Sequence, residues 1–307
     1  MSSTQLQQLL RVALLQGTST LLGPLCDALA ASLDVDSFSN LLEQVPELVA
    51  VLSSPGANED CINAVIRLLT SVVSHGLPHG YDGLPASPTS AENLDKTWQH
   101  GPPAIDLPAS TIQSLIDIPS SLPGHAELLS VLIYRCPLRR QDLACVFTQE
   151  HDRRLLPVMH AILDTSLSTR SLSTPVRNDI MDAWRHKLVS WVFRAPTGMP
   201  LRSKTKELSR RCLLLLAELQ PEGRKAINNL LERRISKIVD LPTDVSVLGL
   251  VDQLLLRWPK DFNTVGSVLV NNALHALVRH YVEVKEDSSL DDKPTSFIGT
   301  SSLLFLW

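Results

Sequence analysis

Residues 174–196 read TPVRNDIMDAWRHKLVSWVFRAP, a stretch that combines a helix start, a single apolar stripe and a helix stop. Thr174 is a good N-cap residue, and Pro175 suits the first helical position, where its missing N–H would have no intrahelical partner. Pro196 ends the pattern. Between them, apolar residues recur at helical spacing at Val176, Ile180, Trp184, Leu188, Trp191, Val192 and Ala195. The stretch predicts an amphipathic α-helix with one buried face.

Four similar segments follow, beginning near Ser203, Pro221, Thr243 and Asn263. The offsets from 203 to 243 and from 221 to 263 are 40 and 42 residues. A helix-pair period of this length is typical of HEAT and armadillo arrays, in which neighbouring pairs stack to bury their stripes. The predicted fold is therefore all-α, an armadillo/HEAT-like α-solenoid of antiparallel helix pairs. An irregular helical bundle with similar spacing is the alternative.

Helical patterns also cover the first half of the chain, at 4–16, 19–33, 36–52 with a kink at Pro46, 57–75, 109–117, 123–134, 139–148 and 150–166. Residues 76–108 hold six of the 20 prolines and four of the 13 glycines, which predicts a long loop. The predicted organisation is helical repeats at 1–75, this Pro/Gly-rich loop, helical repeats at 109–285 and a disordered tail at 286–307.

The helical stripes also predict the hydrophobic core. At 44% hydrophobic residues and 20% charged residues, the 307-residue chain can bury a substantial one. The residues expected in it are Ile66, Leu69, Leu132, Leu163, Ile180, Trp184, Leu188, Leu215, Ile227, Leu231, Leu254, Leu269 and Leu277.

The five cysteines are widely spaced, odd in number and form no CxxC pair. This usage predicts reduced, buried thiols in a cytosolic or nuclear protein. Cys136, Cys145 and His151 lack the short paired spacing of a zinc site. The sequence contains no GxSxG, HExxH or GxGxxG motif and no run of 18 apolar residues. We therefore expect no enzyme, no cofactor, no metal and no membrane span, although an active site built from residues distant in sequence stays open.

Basic residues are concentrated in one segment, because residues 177–237 hold fourteen of the 28 Lys and Arg against six acids. Residues 1–134, by contrast, carry thirteen acids and three bases. Lys204 and Lys206 stand near a predicted helix start, where the helix dipole disfavours cations and an external anion would relieve them. Trp191 is expected in the core rather than stacked on bases. The candidate contacts for RNA or an acidic protein are Arg194, Arg202, Lys204, Lys206, Arg210, Arg211, Arg233 and Arg234.

A structural explanation of the same cations competes with the binding hypothesis. The basic segment can neutralise the chain's own acids, or it can form the solvated seam between two stacked helices. In that case these residues contribute to stability and contact no partner.

The stretch LVSWVFRAPTGMPLRSKTKELSRRCLLLLAEL at 188–219, followed by a helix ending in LLLRWP, resembles segments of the large nucleolar pre-ribosome-associated proteins of the Urb/Npa class. The similarity covers about residues 120–285. It implies an armadillo-like scaffold bound to early large-subunit precursors in the nucleolus and needed for ribosomal RNA processing. Members of the class are much longer, so this chain is expected to be a fragment or a truncated gene product.

The predicted function is accordingly a non-catalytic scaffold in a nucleolar ribosome-assembly complex. Its expected partners are proteins of the assembly and, through the basic segment, pre-ribosomal RNA. The alternative is a protein–protein adaptor of another cytosolic or nuclear complex with no role in RNA.

Overall fold

A computed structural model describes residues 3–16, 19–32, 40–52, 54, 57–74, 104–119, 121–149, 152–167, 178–193, 200–237 and 245–288. Helices dominate these ranges, and turns and short irregular stretches connect them without any strand. The predicted all-α class is confirmed.

The helices of the first half are α1 (Ser3–Gln16), α2 (Ser19–Ala31), α3 (Val45–Leu52), α4 (Glu59–Ser74), α5 (Ala109–Ile116) and α6 (His125–Arg135). Those of the second half are α7 (Arg140–Gln149), α8 (Leu156–Leu167), α9 (Asn178–Val192), α10 (Pro200–Leu219), α11 (Arg224–Ile235), α12 (Val245–Arg257) and α13 (Pro259–Ser288). Short 3-10 turns lead into α7, α8 and α11 at Pro137–Arg139, Arg153–Leu155 and Pro221–Gly223.

The chain divides into two compact units, Met1–Ile227 and Asn228–Trp307. In the first unit, helices pack on the helix two places further along: α2 on α4, α4 on α6, α6 on α8 and α8 on α10. A second series runs from α3 to α5 and from α5 to α7. The helices on both sides of the predicted 76–108 loop therefore belong to one unit.

The end of that predicted loop is packed against the helices. Ile105 and Leu107 are buried, and the Ile105 N–H donates a hydrogen bond to the Arg135 carbonyl at 2.7 Å. Residues 75–103 lie outside the described residues, as do 289–307, which include most of the predicted tail. Helix α13 continues to Ser288, past the predicted end of the repeats at 285.

Most residues predicted for the core are buried. Trp184 is fully buried and meets Trp191, also buried, in an edge-to-face contact with ring centroids 6.2 Å apart. Ile180 and Leu215 are half-buried. Leu277 is 40% exposed, so its assignment to the core is wrong.

Two helices begin at a proline, and a third has a proline at its second position. Pro200 and Pro259 occupy the first position of α10 and α13, where a missing N–H breaks no helical hydrogen bond, so these helices begin before Ser203 and Asn263. With the observed starts, the offsets between alternate helices are 45 residues from Pro200 to Val245 and 35 residues from Arg224 to Pro259, in place of the predicted 40 and 42. Pro46 stands at the second position of α3, and the predicted kink is a helix break at Gln44. The predicted start at Thr174 lies outside the described residues.

In the second unit, α12 packs on α13 and the two differ greatly in length. Helix α12 has 13 residues and α13 has 30, so at 1.5 Å per residue α12 can cover only about half of α13. The buried residues Phe262, Val265 and Leu269 lie in the first half of α13. Leu277 lies beyond the reach of α12, which explains its exposure.

Candidate acidic-partner surface

Helix α10 places the cations of the basic segment differently from the prediction. Because it begins at Pro200, Arg202 lies in its first turn, whereas Lys204 and Lys206 lie further along. The unfavourable effect of the helix dipole on a cation fades beyond the first turn. The argument that Lys204 and Lys206 need an external anion therefore loses its basis.

Lys206 is buried, with 6% of its surface exposed, and Lys204 is half-buried. Lys206 is therefore not available as a surface contact for a partner. Lys206 shares the inward face of α10 with Ser209 and Leu213, at spacings of three and seven residues, where its methylene groups can pack. The side chain of Arg202 and all of Arg194 lie outside the described residues.

Glu207 neutralises two of the predicted contact residues. Its Oε2 accepts from Arg210 Nε at 2.9 Å, and its Oε1 accepts from Arg210 Nη2 at 2.7 Å and from Arg211 Nε at 2.8 Å. Both arginine side chains are largely buried, at 14% and 15% exposure. The spacings i,i+3 and i,i+4 place these groups on one helix face, and this sequence signal could have identified the pairs.

The charge of Glu207 depends on these two arginines. Burial alone would raise the pKa of the Glu207 carboxyl, but the hydrogen bonds and charges of Arg210 and Arg211 outweigh burial and hold that pKa below its ordinary value. Arg210 and Arg211 thus act first as internal partners of Glu207. The interpretation as a structural seam fits this part of the segment.

Partly buried polar side chains lie on α6, α8 and α10, which pack in succession. Tyr134 donates its hydroxyl to Asp164 Oδ2 at 2.9 Å. His160 is 2% exposed and lies near enough to Asp164, Arg211 and Glu207 for each to influence its pKa. The carboxylates of Asp164 and Glu207, which belong to the same chain, therefore lie near the largely buried cations of α10.

Two histidines of the first unit, His125 and His160, are buried. Burial lowers the pKa of His160 and of His125 below the ordinary 6.5, although Asp164 raises the first and the hydrogen bond to Leu115 raises the second. His125 Nε2 lies 2.7 Å from the Leu115 carbonyl and must donate to it, while its Nδ1 is buried without a partner.

We expect the free energy of unfolding to fall as the pH drops below 6.5 towards the lowered pKa values of the folded state. Over that window the unfolded chain binds protons at His125 and His160 before the folded chain does, so protons favour unfolding. Urea unfolding at a series of pH values measures this slope. The double variant His125→Asn/His160→Asn should flatten it, whereas His186→Asn at an exposed position should not. An equal slope in all three proteins would contradict the assignment.

Two further cations of the basic segment stabilise the ends of helices. Arg185 is 5% exposed, forms an ion pair with Asp182 at 2.5 Å and donates to Gln220 Oε1 at 2.5 Å. Arg224 Nε donates to the Ala217 carbonyl at 2.7 Å across the turn between α10 and α11. These side chains hold the fold together and are poor candidates for a binding surface.

The cations of the second unit behave differently. Arg233 and Arg234 in the last turn of α11, and Lys237 just beyond it, are exposed. None has an ion pair or side-chain hydrogen bond with the residues that the structure describes. We call these three residues the α11 cluster. Of the eight predicted contacts, only Arg233 and Arg234 are described as exposed.

In the part of the chain that the structure describes, the remaining groups form neither a metal site nor a thiol of lowered pKa. Within the described ranges, no three His, Cys, Asp or Glu residues come together as metal ligands. The five cysteines are free, and four of them are buried. Burial raises the pKa of Cys26 to about 12 and that of Cys136 to about 11, so these thiols stay protonated at neutral pH. Among the described helices, none combines the length and apolar character needed to cross a membrane.

No protein-family model, curated protein or solved structure matches this chain.

Proposed function

We propose that this chain is a non-catalytic helical scaffold of a nucleolar ribosome-assembly complex that acts in processing of large-subunit ribosomal RNA. The observation behind the RNA contact is the α11 cluster, three exposed cations without carboxylate partners among the described residues. The nucleolar setting comes from the resemblance of residues 120–285. The role needs no cofactor, metal or small-molecule substrate.

The α11 cluster suits a phosphate backbone because its three cations are close together in the chain. Arg233 and Arg234 are in the last turn of α11, and Lys237 follows two residues after its end. Long flexible cations can each reach a phosphate without reading the bases. The helix dipole also favours cations in a last turn, so Arg233 and Arg234 could serve helix stability alone. Binding measurements separate the two roles.

The packing order of the first unit supports an armadillo/HEAT-like solenoid as the scaffold. In such arrays each helix contacts the equivalent helix of the next repeat, and here α2, α4, α6, α8 and α10 pack in that succession. The parallel succession α3, α5 and α7 supplies the other helix of each pair. A stacked array of this kind offers an extended surface to several partners at once.

The double variant Arg233→Glu/Arg234→Glu should bind single-stranded RNA more weakly and with a smaller salt dependence. Each lost phosphate contact reduces the slope of log affinity against log salt by about 0.7. Fluorescence anisotropy with a labelled oligonucleotide from about 50 to 300 mM salt measures this. The matched control is Arg257→Glu/Lys260→Glu, which makes the same charge change at exposed positions outside α11.

Two results would count against the RNA contact. One is no salt-sensitive binding by the wild type at low salt, and the other is an equal loss of affinity in both double variants. Thermal melting of each variant separates lost binding from lost folding.

In cells, purification of the tagged chain should recover large-subunit precursor RNA with nucleolar proteins. Recovery of neither would overturn the assignment to ribosome assembly.

One observation favours the alternative of a protein–protein adaptor without RNA. Helix α1 exposes three large apolar side chains, Leu9, Val12 and Leu15, on the side opposite its buried residues Leu10 and Ala13. Exposed apolar helix faces commonly mark protein contacts. Purification of the wild-type chain and of the variant Leu9→Glu/Leu15→Glu tests this alternative. Protein partners that are not nucleolar, and that the variant loses, would support the adaptor.

A further inference from the structure

Ser236 lies inside the α11 cluster and is exposed like the cations around it. It directly follows the last residue of α11, and its N–H donates to the Glu232 carbonyl at 2.9 Å. Among the described residues, its hydroxyl makes one long hydrogen bond, to the Arg233 carbonyl at 3.3 Å. The side chain of Ser236 is therefore accessible from solvent and contributes little to the fold.

Two arginines precede this serine at the spacing that arginine-directed protein kinases recognise. Arg233 and Arg234 stand three and two residues before Ser236, in the sequence Arg-Arg-Ile-Ser. Kinases of this class place acidic side chains where the two arginines bind, and these charge pairs select the serine. The chain contains four Arg–Arg pairs, at 139–140, 153–154, 210–211 and 233–234, and only the last has a serine or threonine at this distance. The pattern thus singles out Ser236.

The end of α11 presents the arginines and the serine on one accessible side. The α11 cluster and Ser236 are exposed, while Ile235 between them is buried. Kinases hold the acceptor segment in an extended form, so the last turn of α11 has to open. Opening breaks the Ser236 hydrogen bond to Glu232 and the bond that Asn272 Nδ2 donates to the Ile235 carbonyl at 2.8 Å. Helix ends open locally in this way without unfolding of the rest of the unit.

We propose that Ser236 is the acceptor site of an arginine-directed serine/threonine kinase and that its phosphate releases RNA from the α11 cluster. The step transfers the γ-phosphoryl group of ATP. The bond between the γ-phosphorus and the β–γ bridging oxygen breaks, and a bond from that phosphorus to Ser236 Oγ forms. The hydroxyl proton passes to a carboxylate of the kinase, and ADP leaves. The acceptor site stands on Ser236 and its arginines alone, whereas the release of RNA rests on the proposed function.

A phosphate at Ser236 carries enough charge to neutralise most of the α11 cluster. A phosphoserine has a charge of about −1.5 to −2 at pH 7, against the three cations of the cluster. Arg233 lies one helical turn before Ser236 and Lys237 is next to it, so the phosphate oxygens can accept hydrogen bonds from both. The end of a helix carries about half a negative charge, which opposes a phosphate, but three full positive charges nearby outweigh it. RNA phosphates then compete for cations that are already paired.

Phosphorylation of the purified full-length chain tests the acceptor site. After incubation with MgATP and the catalytic subunit of cyclic-AMP-dependent kinase, peptide mass spectrometry should locate a phosphate at Ser236. Arg233→Ala/Arg234→Ala should nearly abolish this modification, and circular dichroism checks that the variant keeps its helix content. Ser267, an exposed serine of α13 without an arginine two or three residues before it, should stay unmodified. An unmodified Ser236 in the wild type, or equal modification in the double variant, would overturn the acceptor site.

Fluorescence anisotropy with a labelled single-stranded RNA tests the release. The phosphorylated chain should bind more weakly than the unphosphorylated chain, and its slope of log affinity against log salt should be smaller by about 1.4, which corresponds to two lost phosphate contacts. Kinase-treated Ser236→Ala should bind like the untreated wild type. Equal binding by the two forms of the wild type would overturn the release of RNA. No RNA binding by the unphosphorylated chain would refute the proposed RNA contact and the release together, whereas mass spectrometry decides the acceptor site independently.

Discussion

Glu207→Ala is expected to lower the free energy of unfolding by about 3 kcal/mol, since removing one partner of a largely buried ion pair leaves the other charge poorly compensated. Here one carboxylate serves both Arg210 and Arg211, whose side chains are 14% and 15% exposed. Because Glu207 itself is 29% exposed, water reaches part of the site and moderates the loss. Urea unfolding followed by circular dichroism measures the change.

Glu218→Ala is the matched control, because it removes an exposed carboxylate from the same helix. Its effect should stay within about 0.5 kcal/mol. Replacing Arg210 and Arg211 by Met in the Glu207→Ala background should recover much of the stability, because the two largely buried charges that Glu207 compensated are then absent. Equal stability of the two Ala variants would show that the Glu207 pairs contribute nothing.

Arg135→Met is expected to raise the free energy of unfolding by about 1–4 kcal/mol, the range seen when buried charges give way to apolar residues of similar volume. Arg135 is 1% exposed, and its three guanidinium nitrogens are buried without a hydrogen-bond partner. Burial lowers the pKa of this guanidinium, which reflects the cost of holding its charge away from water. Met removes that cost and still fills the space.

Two neighbouring arginines provide controls of opposite sign. Arg139 Nε donates to the Leu107 carbonyl at 3.3 Å, and Arg140 Nε donates to the Ile133 carbonyl at 2.9 Å. Replacing either by Met should cost about 0.5–1.5 kcal/mol, the usual net value of one hydrogen bond. Thermal and urea unfolding of the three variants should therefore rank Arg135→Met above the wild type and the others below it. A destabilised Arg135→Met protein would show that the guanidinium makes favourable contacts.

The position of Lys206 changes how a charge reversal in α10 should be interpreted. A Lys204→Glu/Lys206→Glu variant would place one new carboxylate at a buried position, so a loss of RNA binding could follow from unfolding. Arg233→Glu/Arg234→Glu changes only exposed positions and reports on binding more directly. The candidate RNA contact therefore moves from the start of α10 to the end of α11.

Helical spacing in the sequence was sufficient to predict the all-α class and the approximate bounds of most described helices. Apolar residues three and four positions apart predict which face of a helix is buried, and this succeeded for Trp184 and Leu188. Proline at a first helical position was the main source of boundary errors, because Pro200 and Pro259 also resemble helix stops. The same proline can follow the end of one helix or begin the next, so a local sequence pattern does not show which of the two it does.

Only the tertiary structure decides which apolar stripes another helix covers and which cations are exposed to solvent. Leu277 has the spacing of a core residue, yet it is exposed because α12 is too short to reach it. Lys206 has the character of a surface residue, yet it is buried on the inward face of α10. Local sequence determines which helices form and which faces are apolar, since these depend on neighbours within a turn. Burial depends on the length and position of helices distant in sequence, and only the folded chain brings these together.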